Sequence, residues 1–161
     1  MRSRYSRCKF FLCVIFLTHS TCDLYAQTFK AGAAVRVITP DPLLPVSGGV
    51  GQPKKTIEKK GDLFVRAVVF EKGKTKVAIV SIDNLGWTSA LGDRSRNLII
   101  EIPPENILIG STHTHSAPDA YGFPDDQGKS MADLKYLDWC VKQIADAVKE
   151  AMLKLTPESF E

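Results

Sequence analysis

Between Met131 and Leu155, apolar side chains return every third or fourth position: Met131, Leu134, Leu137, Val141, Ile144, Val148, Met152 and Leu155. That spacing follows the turn of an α-helix, so these side chains form one stripe that must lie on an apolar partner. The partner is encoded upstream. Residues 62–70 (DLFVRAVVF) and 75–82 (TKVAIVSI) are nearly continuous apolar runs of strand length. They are joined by Glu71-Lys72-Gly73-Lys74, a short turn containing glycine, and together read as a β-hairpin. Runs so continuous predict a sheet covered on both faces. Arg66 interrupts the first run, and an ion pair at the sheet edge is its expected role.

The remaining elements fit around this hairpin and helix. Residues 30–38 (KAGAAVRVI) read as a strand, ended by Thr39-Pro40-Asp41-Pro42 because proline cannot donate to a ladder. Residues 43–61 form a long glycine-bearing connection. Its lysines (Lys54, Lys55, Lys59 and Lys60) read as a solvated loop. A helix is expected from Trp87 to Ile100 and a short buried strand over 106–110. Ser130, with Asp133 three places on, is the expected cap of the last helix, and Pro157 its end. The order strand, hairpin, helix, strand, helix predicts an α/β fold: a mixed β-sheet flanked by helices, in one domain.

The amino terminus reads as an address. Residues 1–9 carry Arg2, Arg4, Arg7 and Lys9, residues 10–17 are the apolar run FFLCVIFL, and a polar stretch leads to Leu24-Tyr25-Ala26. This is the layout of a secretory signal over 1–26 with cleavage after Ala26, leaving 27–161 as the mature domain in a secreted or periplasmic location. The apolar run falls far short of the ~20 residues that span a bilayer, so no stable membrane span is expected after cleavage. Lipidation of Cys22 is the weaker alternative. Without 1–26 the chain holds 17 Lys+Arg and 17 Asp+Glu, so no strong field remains to attract nucleic acid. Cys140 is then the sole cysteine, which excludes an intramolecular disulfide and a multi-cysteine metal site.

Two histidines remain in the mature chain, and both fall in His113-Thr114-His115, just after the strand at 106–110. Sites gather at strand ends in α/β sheets. In extended backbone, residues two apart point to the same side, so both imidazoles are expected to face one small volume. Neutral imidazole ligates zinc and also serves as a general acid or base near neutral pH; the spacing leaves both roles open. Thr112, Thr114 and Ser116 are placed to orient the rings. A catalytic zinc takes three protein ligands plus water. The carboxylates at hand are Asp83, Asp119, Asp125 and Asp126. Asp83 is expected to cap the following helix, and Asp119 to shape the loop after Pro118.

The segment Gly110-Ser111-Thr112-His113-Thr114-His115-Ser116-Ala117-Pro118 resembles the metal-binding loop of the neutral/alkaline, non-lysosomal ceramidase family, with Ala117 where glycine is usual. Weaker matches lie upstream at Ala31–Ala34, Val37–Pro40, Ser47-Gly48-Gly49, Leu63–Ala67 and Val77–Asp83, so the likeness spans about residues 30–155. The resemblance implies a zinc-dependent (Zn2+) hydrolase that cleaves the amide of N-acyl sphingosine or a related lipid amide with zinc-bound water. It implies that His113 is a zinc ligand and that the catalytic His115 faces the substrate. The family takes its other ligands, a His, a Glu and a Tyr, from farther along the chain, so this sequence is expected to be the amino-terminal part of a larger catalytic domain and inactive alone.

Two other metallohydrolase patterns begin with His-x-His. The metallo-β-lactamase type wants Asp where Ala117 stands, and the amidohydrolase type wants the pair on its first strand. The alternative outside enzymology is a secreted α/β module binding a lipid or glycan, with the histidines only shaping a loop.

Overall fold

A computed structural model describes residues 28–49 and 55–158. The segment 1–26 expected to be a signal, its Cys22, and Lys54 lie outside the described residues. The strands are β1 (Phe29–Val37), β2 (Phe64–Lys72), β3 (Thr75–Ile82), β4 (Ile107–Ser111) and the two-residue β5 (Thr156–Pro157). Helix α1 spans Ser89–Arg96 and helix α2 Leu134–Leu153. They build a five-stranded sheet in the order β4-β3-β2-β1-β5. β3 and β4 are parallel and the other pairs antiparallel, so the sheet is mixed, as the order of elements predicts.

The hairpin closes at Gly73, whose φ of 61° suits glycine in a tight turn. β3 cannot reach a parallel neighbour by a tight turn, so α1 and a 3-10 turn at Pro104–Asn106 carry the crossover to β4. α1 is shorter than the 87–100 expected. It starts after Thr88 and is capped at Asn97, and Gly92 within it weakens any extension.

α2 lies across one face of the sheet and buries Tyr136, Leu137, Cys140, Val141, Ile144, Ala145, Ala147, Val148 and Ala151. The expected stripe is buried at Leu137, Val141, Ile144 and Val148, with Met152 and Leu155 packed against the core; Leu134 departs from it at 70% exposed, and alanines widen the inward face. Small residues are what permit this. Gly32 and Ala34 of β1, Ala67 of β2 and Ala78 of β3 lie on the covered face, which lets the helix approach. A Cβ at Gly32 would strike the carbonyl oxygen of Ala151 and stand 2.9 Å from the amide of Leu155. The cap also differs. Asp133, not Ser130, accepts the Tyr136 N–H at 2.9 Å, while Ser130 accepts from Ala132. Pro157 does not end the helix, which stops at Leu153; it sits in β5 against Lys30.

The expected cover on both faces is not found among the described residues. Val35 (57%), Val37 (50%), Ile79 (44%) and Leu108 (62%) stand exposed on the face opposite α2. Apolar runs in β2 and β3 therefore reflect one packed face and one open apolar face. Among the described residues no helix is long and apolar enough to cross a membrane.

Candidate functional site

Four segments meet at one end of the sheet: the exits of β1, β3 and β4, and the entry to β2. Backbone bonds tie them together. Ile38 N–H reaches the Leu63 carbonyl at 2.7 Å, Asp83 N–H that of Phe64 at 2.8 Å, Thr112 N–H that of Ile82 at 3.0 Å and Ser47 N–H that of Ala117 at 2.9 Å. The last bond fixes the long β1–β2 connection to the histidine loop.

The strand ends at Ser111, so the histidines are not on extended backbone. His113 has φ 61°, in the left-handed region that few side chains other than Asn, Asp and His enter. The expectation that alternation along a strand brings the rings together is thus corrected. A left-handed residue does so instead, and the ring centroids lie 5.2 Å apart, edge to face. Both residues are exposed at the rim.

The His113 ring is oriented from the β3 exit. Its Nδ1 lies 2.7 Å from the carbonyl oxygen of Leu85. A carbonyl only accepts, so Nδ1 carries the proton and the neutral ring keeps its lone pair at Nε2. That is the arrangement by which metal-ligating histidines are commonly held. Thr114 does not orient the rings; its Oγ accepts the Ser116 N–H at 3.3 Å. No hydrogen bond holds the His115 ring among the described residues. It packs against the backbone of Gly48, whose φ is 105°.

The carboxylates do not gather round this pair. Asp83 does not cap α1. Its carboxylate accepts the Phe64 N–H at 2.9 Å and Arg66 Nη1 at 3.0 Å. Arg66 is therefore in an ion pair, but on the central strand β2 rather than at an edge. Asp119 is 2% exposed and accepts the amides of Tyr121 and Phe123, each at 2.8 Å, which shapes the loop as expected. Asp125 similarly serves the amides of Gln127 and Lys129. Among the described residues no group of three or more His, Cys, Asp or Glu is placed to hold a metal ion. The residues present thus fit zinc as one imidazole ligand with a second ring beside it, not as a full set.

Beside the loop lies a cleft of about 670 Å³, lined by Leu43, Leu44, Ile57, Lys55, Lys60, Asp83, Thr114 and Ser116, among others. Of the lysines expected to be solvated, Lys59 pairs with Asp62 at 2.6 Å. That pairing, with a hydrogen bond from Thr39, lowers the Asp62 pKa below the usual carboxylate range. Cys140 lies on the buried face of α2. Burial pushes its thiol up to about 12, so it stays protonated and inert.

Three participants carry no sequence signal of their own. Leu85 acts through its carbonyl, which any residue possesses. Gly48 was visible only as part of a glycine loop. Tyr121 places its hydroxyl against the Cα of Gly86, next to Leu85, and its ring centroid lies 5.4 Å from that of Phe123.

No family profile matches the chain, and no curated protein matches it. Solved structures do. A ceramidase complexed with C2 superposes with a TM-score of 0.66 at 21% identity, covering 81% of this chain and 22% of the other. The neutral ceramidase from Pseudomonas aeruginosa gives 0.60 at 19% identity, with the same coverage. The chain therefore has the fold of part of a ceramidase α/β domain, and it spans 22% of the length of either structure.

Proposed function

We propose that this chain contributes to a zinc-dependent hydrolase of ceramidase type, with a lipid amide such as N-acyl sphingosine as substrate. The observation that carries the reading is the His113 ring. Its Nδ1 is held 2.7 Å from the Leu85 carbonyl, so Nε2 presents a lone pair beside His115. The shared fold with two ceramidases, one of them complexed with C2, supports the same class. The basic residues 1–9 followed by the apolar run 10–17 are what support export.

In this reading His113 holds the metal and His115 faces the substrate. Zinc, when bound, supplies Lewis-acid polarisation of a carbonyl and a lower pKa for water. His115, beside the ligand His113, would donate a hydrogen bond to developing negative charge or carry a proton to the leaving amine. The fixed tautomer of His113 keeps the pair in register, because its ring cannot turn without losing the Leu85 bond. Among the described residues no third His, Cys, Asp or Glu joins this pair.

The test is metal analysis together with chelation. The full gene product is expected to hold stoichiometric zinc and lose stability in chelator, and His113→Ala to reduce zinc retention. Absence of zinc, with stability indifferent to chelator, would instead favour a lipid- or glycan-binding module using the cleft beside Thr114.

A further inference from the structure

We infer that Gly48 is a positioning residue for His115, its bare Cα forming the wall against which the imidazole rests. A Cβ at this position would stand 2.8 Å from Cγ and 3.0 Å from Nδ1 of His115, and 3.1 Å from Cδ1 of Leu85. Side-chain carbons do not approach a ring that closely. The backbone adds a second constraint, since φ of 105° is tolerated by glycine and resisted by L side chains.

Packing sets the ring's direction here because hydrogen bonding does not. Among the described residues His115 has no hydrogen-bond partner, in contrast to His113. What holds it is Gly48 and the His113 ring, set nearly perpendicular with its centroid 5.2 Å away. Gly48 is itself held in place. The preceding Ser47 is 3% exposed and its N–H is bonded to the Ala117 carbonyl at 2.9 Å. The β1–β2 connection therefore reaches across that end of the sheet and sets a ring on a different loop. The consequence for substrate rests on the proposed hydrolase reading: a displaced His115 would leave the zinc ligand His113 in place and remove its companion.

The neighbouring glycine is a built-in control. A Cβ at Gly49 would meet nothing within 4 Å. Nuclear magnetic resonance on the full chain with labelled histidine reads the geometry directly. Gly48→Ala is expected to abolish the cross-peak between the two rings and move the His115 ring signals, with the Nδ1 proton of His113 still held by the Leu85 carbonyl. Gly49→Ala should leave both intact. An unchanged cross-peak in G48A, or an equal loss in G49A, overturns the inference. If G48A does not fold, the wild-type chain still decides: nuclear Overhauser contacts from the His115 ring to the α protons of Gly48 are expected, and their absence overturns the inference. Zinc calorimetry separates the two readings. A full gene product that binds no zinc, yet shows the G48A effect, supports the role of Gly48 and sinks the hydrolase.

Discussion

The two faces of the sheet are made of similar residues and meet opposite fates. One face, with Val65, Val69, Val80 and Ile82, is at most 2% exposed beneath its helices. The other carries Val35, Val37, Ile79 and Leu108, all more than one-third exposed. Apolarity does not separate them. Nor does size alone, since Ala31, Ala33 and Gly110 fall on the open face; position does: Gly32, Ala34, Ala67 and Ala78 lie on the face that α2 crosses and admit its backbone, while the open face has Arg66 near its centre. Strand alternation makes the assignment strict, since a register slip of one residue would exchange the faces.

Paired substitutions test that contrast. Ile144→Ala, under the sheet and 0% exposed, should cost about 2–5 kcal/mol in chemical denaturation. Asp83→Ala leaves the Phe64 amide without its acceptor and Arg66 without its partner, and should cost about 1–3 kcal/mol. Ile79→Ala, on the open face, should stay within about 0.5 kcal/mol. A loss at Ile79 comparable with that at Ile144 would mean that the open face is covered in solution.

Cys140 probes the covered face by chemistry. Its pKa is raised from 9.0 to about 12 by burial, so the native state favours the neutral thiol. The stabilisation is complete below pH 9.0 and is lost as pH rises toward about 12. A thiol reagent at pH 8 should therefore label the unfolded chain and leave the native one nearly untouched. Rapid labelling of the native protein would show that α2 opens readily.

Much of this architecture could be read from residue patterns because periodicity reports burial. The hairpin, the order of elements and the mixed sheet follow from the runs at 62–70 and 75–82 and the stripe after Met131. Helix ends were less legible. Ser130 and Asp133 are both competent caps, and only packing of Tyr136 and Leu137 decides between them. The rim was legible in its histidines alone. What orients them is a main-chain carbonyl at Leu85, a bare Cα at Gly48 and a left-handed turn at His113, and none of these is a side-chain property. The helix cap expected of Asp83 failed because the nearer claim on its carboxylate came from β2, a strand distant in sequence.

The protonation of His113 is the hinge of the functional reading. A long-range proton–nitrogen correlation spectrum of the histidine rings, taken with and without added zinc, reports it directly. The account predicts a proton on Nδ1, held by the Leu85 carbonyl, and a shift of the Nε2 resonance when zinc is added. A proton found on Nε2, or an Nε2 resonance that ignores the metal, would contradict it.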